Sequence, residues 1–273
     1  MRKPSSVPTE VLEHLGPVPE RIDGCGGSAV LRGRGRVAKV GPSASRNAAV
    51  LSLDLPLRRP QLLDHGPDWV VMEDVPDHEA PWTPAELMTL LPDLATLHAV
   101  TVDPLIGSPL DEPLLAWSRR VRAFGNLSVP LPKPLRSVLE DPTPLLQVLT
   151  AGPRVLLHTD PYRANIRRPS PGERVWIDWD DAVLGPPALD VAAWLLEGPW
   201  FLGRTIDREE ARAAYGEKVD DIQLDAAVLL ITLTQDLVSL TESKGPAVVG
   251  AFIDERMECL ARLGGDVQTA RDN

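Results

Sequence analysis

The sequence predicts an α+β protein of two lobes: a small sheet-rich N-terminal lobe over residues 1–75 and a larger, mainly helical C-terminal lobe over residues 76–273, with a hinge near residues 73–77. Three observations predict it. Arg36-Val37-Ala38-Lys39-Val40 alternates polar and apolar residues as a half-buried strand does. Leu62-Leu63 and Trp69-Val70-Val71-Met72 are short apolar runs on either side of the turn cluster Asp64-His65-Gly66-Pro67-Asp68. Beyond the polar linker Glu73-Asp74-Val75-Pro76-Asp77, leucines recur at helical spacing.

The elements follow in order. Residues 9–15 form a short helix stopped by Gly16-Pro17. Gly24-Cys25-Gly26-Gly27-Ser28 is a glycine turn between short strands, the second of which is 36–40. Two strands around such a turn place backbone amides over a phosphate chain, although a glycine cluster is a flexible turn in most proteins. Residues 44–54 read as a helix with Ala48, Leu51 and Leu55 on one face, and Leu62-Leu63 and 69–72 read as buried strands. Thr83-Pro84-Ala85-Glu86 is a capping box with proline at the first helical position. Leu87, Leu90, Leu91, Leu94 and Leu97 then line one face, with His98 on it as packing. Residues 101–113 are a loop. Helices follow at 114–124 and at 133–150, broken by prolines, and then near 188–197, 208–216, 221–243 and 247–263. Asp207 with Glu210 forms a second cap pair.

Composition narrows the functional classes. A chain of 273 residues is long enough for a sizeable core. The formal net charge of −11, with no basic stripe, excludes nucleic acid as the expected partner. An acidic balance favours a cationic substrate by electrostatic focusing, and it equally serves solubility. The two cysteines, Cys25 and Cys259, are too few for a disulfide framework or a cysteine zinc site, and they suit free thiols in a reducing compartment. No apolar stretch follows Met1-Arg2-Lys3, and the run Ala226 to Leu233 is too short to span a bilayer, so neither a secretory signal nor a membrane span is expected. The expected location is the cytoplasm.

Most information lies in Val155-Leu156-Leu157-His158-Thr159-Asp160-Pro161-Tyr162-Arg163-Ala164-Asn165-Ile166 and Val175-Trp176-Ile177-Asp178-Trp179-Asp180. The pattern reads strand, polar loop, strand, turn, strand, acidic loop. Phosphoryl transfer from a nucleotide needs a carboxylate beside the acceptor hydroxyl, and an amide oxygen and a carboxylate on magnesium. Asp160, Asn165 and Asp178 supply that set from one hairpin-like substructure. His-x-Asp-x-x-x-x-Asn is close to the kinase catalytic-loop pattern, without the arginine that usually follows the histidine.

With Ile177-Asp178-Trp179-Asp180-Asp181-Ala182-Val183-Leu184-Gly185-Pro186-Pro187-Ala188-Leu189-Asp190, these residues resemble the aminoglycoside phosphotransferase-like family of small-molecule kinases over roughly residues 20–260. The resemblance implies a two-lobed protein-kinase-like fold and transfer of the γ-phosphoryl group of ATP, with Mg2+, to a hydroxyl of a small molecule. It implies that Asp160 orients and deprotonates the hydroxyl, that Asn165 and Asp178 hold the metal, and that Lys39 contacts the first two phosphates. Gly26, Gly27 and Ser28 would cover the phosphates, and backbone groups of Glu73 and Val75 would read the base. His158 would hydrogen-bond backbone, and Asp190 would brace the catalytic loop.

Each residue also has a blander reading. Asp160 before Pro161 suits a turn start, and Asn165 a turn. Lys39, alone in an apolar strand, must find an anion or snorkel from an edge strand. Asp178 between Ile177 and Trp179 invites burial, and a buried carboxylate needs a partner. Asp180 and Asp181 either line the substrate side or form a solvated acidic turn. The chain departs from the family at Asn47, where a glutamate pairs the lysine. An amide cannot neutralise Lys39, so the phosphates alone hold it, or another acid reaches it, or nucleotide binding is weakened.

The acceptor region expected from the resemblance is the helical segment 80–150 with the last helices. Asp180, Asp181, Glu197, Asp207, Glu209 and Glu210 make that half acid-rich, which suits an aminoglycoside or another basic antibiotic, and equally an amino sugar or a choline-like metabolite. Trp194, Trp200 and Phe201 suit stacking on a sugar or packing of the core. A nucleotide-binding pseudokinase and a non-enzymatic interaction protein are the other two classes, and the acceptor, the ATP or GTP preference and the oligomeric state stay open.

Overall fold

The computed structural model describes residues 7–22, 28–78, 81–100, 132–202, 206–216, 219–232, 253–254 and 256–263. They fall into two compact units. One comprises residues 7–82 with 160–183, and the other residues 83–100, 132–159 and 184–263. The segment 160–183 thus groups with the N-terminal sheet, so the compact units do not divide the chain at a single point near residue 75.

The first unit is built on a five-stranded antiparallel sheet of order β1-β2-β3-β5-β4. Its strands are β1 (Glu20–Ile22), β2 (Ala29–Gly33), β3 (Arg36–Val40), β4 (Leu62–His65) and β5 (Trp69–Glu73). Gly33 pairs with Arg36 across a two-residue turn in which Arg34 (φ 50°) and Gly35 (φ 68°) are both left-handed. This is the conformation that matches the twist of a tight hairpin.

Register and the period of two decide what each face carries. Leu31 pairs with Ala38 and Ala38 with Val71, which puts all three on one face. Helix α1 (Thr9–Leu15) covers that face, and Val11, Leu15, Leu31, Ala38, Val40, Trp69 and Val71 form its core. The alternate residues Val30, Arg32, Val37, Lys39 and Met72 point the other way and line a cavity. Helix α2 (Ala44–Leu51) packs on β4 and β5. The expectation of a buried strand holds for Trp69 to Met72 but not for Leu62-Leu63. β4 is the edge strand, and Leu63 is 37% exposed.

The segment 160–183 adds a hairpin of β7 (Ile166–Arg167) and β8 (Val175–Trp176), with one 3-10 turn, Arg163–Asn165, before it. Trp176 and Trp179 are fully buried, and the Trp179 indole donates to the Trp176 carbonyl (3.0 Å). The Trp176 amide donates to the Arg58 carbonyl (2.9 Å), which fixes the hairpin to the long connection before β4.

The second unit is mainly helical. The single helix expected after Thr83 is two, α3 (Pro84–Met88) and α4 (Leu90–His98), meeting at Thr89. The capping box forms as read, with Thr83 and Glu86 satisfying each other's backbone amides. The break expected from the prolines between 133 and 150 separates α5 (Lys133–Glu140) from α6 (Thr143–Thr150). Strand β6 (Val155–Leu157) pairs with β9 (Val183–Gly185). Then come α7 (Ala188–Leu202), α8 (Arg208–Tyr215) and α9 (Asp221–Ile231), and residues 256–263 are helical. Asp207 caps α8 by accepting from the Glu209 amide. α9 packs on α7 and α6, and α4 packs on α8 and β6. Here Asp225, 2% exposed, takes a bidentate pair of hydrogen bonds from Arg262 and an ion pair from Arg208. Burial raises the Asp225 carboxyl pKa, but the hydrogen bonds from Arg262 and Arg208 outweigh it and hold the group below its ordinary value. Burial also raises the Cys259 thiol. The predicted helix 114–124, Cys25, and the side chains of Glu197, Trp200 and Phe201 lie outside the described residues.

Candidate active site

Lys39 sits on β3, the central strand of the sheet, and is 8% exposed, so it is not an edge-strand lysine snorkelling to water. Burying an ammonium without a partner costs several kcal/mol, on the order of the penalty for any unpaired buried ion. Two carboxylates meet it. Lys39 Nζ donates to Asp178 Oδ1 in a short ion pair and to Asp180 Oδ1 at 2.7 Å. Asn47, on α2 and 1% exposed, donates through Nδ2 to the same Asp180 oxygen. Arg46 adds a hydrogen bond to the Asp180 carbonyl (3.3 Å) and lies 3.8 Å from the Asp181 carboxylate. Of the three outcomes open for Lys39 without a helix glutamate, the structure shows the second: another acid reaches it. Asp180 is neither a solvated turn residue nor part of a separate acidic face.

The cavity behind this cluster has a volume of about 190 Å³. Ser28, Lys39, Glu73, Val75, Asp178 and Asp180 all contribute to its lining, so five of the sequence-selected positions share one space with Asp180. Ser28 is set by a close approach. A Cβ on Gly41 (φ 150°) would lie 2.6 Å from Ser28 Oγ, and that hydroxyl shares a 2.7 Å hydrogen bond with Ser43 Oγ at the start of α2. Gly26 and Gly27 lie outside the described residues. At the other end, the Glu73 amide donates to the Gln61 carbonyl (3.0 Å) and its carboxylate accepts from the Gln61 amide (3.2 Å). Arg32 and Asp74 form an ion pair (2.9 Å) on the cavity wall.

Asp160 and Asn165 are held to each other. Asn165 Nδ2 donates to Asp160 Oδ2 (2.7 Å) and to the Asp160 carbonyl (3.0 Å), which pins both ends of the loop. The Ile177 amide donates to the Asn165 carbonyl (2.8 Å), so the residue preceding Asp178 is tied to Asn165. Asp178 itself has φ 64°, a left-handed conformation uncommon outside glycine, and its side chain is 43% exposed. The expected burial of this acid is therefore partial.

Just before Asp160, in the helical unit, Thr159 is also left-handed (φ 69°). Asp190 holds it there. It is fully buried and accepts from the amides of His158 (2.8 Å) and Thr159 (2.7 Å). His98 Nε2 lies 3.1 Å from Asp190 Oδ2, and His98 Nδ1 lies 2.7 Å from the Tyr215 hydroxyl. His98 is thus a member of a buried hydrogen-bonded chain rather than plain packing. Its signal in the sequence was a polar residue four positions after Leu94 in an apolar stripe. Asn47 carried the same signal among Ala44, Ala48 and Leu51.

Taken together, a buried sheet lysine, two aspartates on its amine and an Asp–Asn loop are groups of the kind phosphoryl transfer uses. The profile of the phosphotransferase enzyme family matches residues 13–224, and the chain belongs to that family, whose members are small-molecule kinases. Solved structures agree on the fold. The chain is similar to a choline/ethanolamine kinase family protein from Mesorhizobium loti, with 16% identity, 93% of this chain and 90% of that one covered, and a TM-score of 0.53. It is similar to the aminoglycoside phosphotransferase APH(3'')-Id from Streptomyces rimosus in complex with ADP and streptomycin, with 20% identity, 79% and 92% covered, and a TM-score of 0.57. It is also similar to the macrolide 2'-phosphotransferase MphH from Brachybacterium faecium, with 16% identity, 93% and 95% covered, and a TM-score of 0.54. No match is found among the curated proteins. Among the described residues, no helix is long and apolar enough to cross a membrane.

Proposed function

We propose that the protein transfers the γ-phosphoryl group of ATP to a hydroxyl of a small cationic molecule in the cytoplasm. The observation that carries this reading is Lys39, a buried cation facing a cavity on whose wall Asp178 and Asp180 also stand. A cavity with a fixed cation at one end and strand-end backbone at the other suits a nucleotide. Lys39 contacts the phosphates, and Ser28 with Gly26 and Gly27 covers them. With its N–H committed to Gln61, Glu73 reads a base through its carbonyl, and Val75 through its N–H.

Asp160 orients the acceptor hydroxyl and takes its proton as the new oxygen–phosphorus bond forms and the bridging bond to ADP breaks. The residues fit a magnesium ion. Asn165 commits Nδ2 to Asp160, which leaves its amide oxygen to a hard cation, and Asp178 is the more exposed of the two aspartates on Lys39. Two protein ligands suffice, because magnesium fills its remaining positions with phosphate oxygens and water. When bound, the ion neutralises charge on the transferring phosphoryl group.

The acceptor is an aminoglycoside or another basic antibiotic, in keeping with the net charge of −11 and with the streptomycin held by one structural neighbour. Likeness to a choline/ethanolamine kinase family protein favours a second reading, a choline-like or amino-sugar metabolite. ADP release with Mg2+ and ATP is to be measured against aminoglycosides, a macrolide, cyclic-peptide antibiotics, amino sugars and choline, with Asp160→Asn beside the wild type. Stimulation by one acceptor, lost in the variant, supports the reading and names the acceptor class. A rate indifferent to every acceptor and to the variant refutes it.

A further inference from the structure

We infer that Asp180, fixed in place by Asn47, is the residue that positions Lys39 for the nucleotide. The inference rests on the nucleotide reading of the cavity given above.

Two carboxylates share one ammonium, and their surroundings differ. The Asp178 side chain is 43% exposed and that of Asp180 is 21% exposed. Asp180 is gripped from two elements at once: β3 through Lys39 Nζ, and α2 through Asn47 Nδ2, both on the same oxygen. Arg46, also on α2, holds its backbone carbonyl. Asp178 is the carboxylate available to exchange partners when an anion and a cation enter the cavity. Asp180 is the one built to stay.

The chemistry of residue 47 follows from this arrangement. Asp180 and Asp178 already outnumber Lys39, so a third carboxylate at position 47 would be buried against two others. A neutral amide donates to Asp180 and adds no charge. Its remaining oxygen, Asn47 Oδ1, is buried without a hydrogen-bond partner among the described residues. An orphaned acceptor is tolerated where the donor on the same group is needed. Asn47 therefore acts as a one-sided clamp on Asp180, and Asp180 on Lys39.

The test turns on a sign. Removing a negative charge near bound phosphates strengthens nucleotide binding if charge alone matters. If Asp180 positions Lys39, removing it weakens binding, because Lys39 then collapses onto Asp178 and must be pulled away. MgADP is titrated calorimetrically into the wild type, Lys39→Met, Asp180→Asn and the Lys39→Met/Asp180→Asn pair. We expect Asp180→Asn to weaken MgADP about tenfold, the scale of one charge-assisted hydrogen bond, and to have no further effect once Lys39 is gone. Unchanged or tighter binding in Asp180→Asn overturns the inference, and so does an equal loss in the Lys39→Met background. Wild type that binds no MgADP, or a Lys39→Met variant that binds as well as wild type, overturns the nucleotide reading itself and the inference with it. Should Asp180→Asn fail to fold, Asn47→Ala decides. Binding about threefold weaker, again only with Lys39 present, supports the clamp, and unaltered binding refutes it.

Discussion

Each compact unit holds a carboxylate cluster, and the two use similar groups in different surroundings. In the sheet unit, Asp178 and Asp180 meet Lys39 at a cavity wall, and their side chains keep 43% and 21% of their exposure. In the helical unit, Asp190 meets His98 and two backbone amides with side-chain exposures of 0% and 3% for the acid and the imidazole. The first cluster is partly open to water, at the wall of a cavity. The second is sealed, every bond it makes replaces one to water, and losing any of them leaves a buried polar group unpaired. Burial, more than residue type, separates the two clusters.

Substitutions sharpen this contrast. Asp160→Asn should cut phosphoryl transfer by about 10² to 10⁴-fold, the usual worth of a positioned base, with its urea midpoint unchanged. A large loss of stability in that variant would give Asp160 a bracing role. Asp190→Ala should do the reverse first. It strands two amides and His98, and about 3–5 kcal/mol of unfolding free energy should go, read from the urea midpoint at constant m-value. Asn47→Asp turns a donor into an acceptor against Asp180 and should cost roughly 2 kcal/mol, seen as a lower melting temperature. A neutral result there would show that α2 has room to move away from Asp180.

A smaller effect concerns acid. The Asp225 carboxyl is held below its ordinary value despite burial, through Arg262 and Arg208. Between that lowered value and the ordinary one near pH 4, the unfolded chain binds more protons than the folded one. Asp225 therefore contributes stability that is full above about pH 4 and is lost as pH falls through the folded-state value. Asp225→Asn should flatten that part of the stability–pH profile, and a profile that keeps its acid slope would assign the loss to other groups. Least affected should be Leu63→Ser, on the exposed edge strand, within about 0.5 kcal/mol of wild type by urea unfolding.

Local chemistry made much of the molecule legible. The capping box at Thr83 and Glu86, the stops at Gly16 and before Pro142, and the strand alternation around Lys39 depend on neighbours a few residues away, and they appear where the residues require them. The Asp160–Asn165 spacing and the run ending at Asp178 belong to the same class, because a fixed offset across one loop or hairpin is already a geometry. Leu63 is exposed although its run reads as buried, because an apolar run does not reveal whether its strand lies at the centre or the edge of a sheet. The helix after Thr83 breaks at Thr89, and nothing in its leucine spacing marks that break.

What the sequence determined by itself, then, is the set of chemical groups and their local frames: a lysine on a strand, an Asp–Asn loop, and acids ending an apolar strand. Tertiary structure alone decided the pairings across long separations, Lys39 with Asp180 over 141 residues and His98 with Asp190 over 92. Asn47 looked like a defect in sequence because its helix offered no acid to the lysine. Folding brought that acid from elsewhere in the chain. A buried charge must be neutralised by whichever group the packing brings within reach, and reach is a property of the fold rather than of sequence distance.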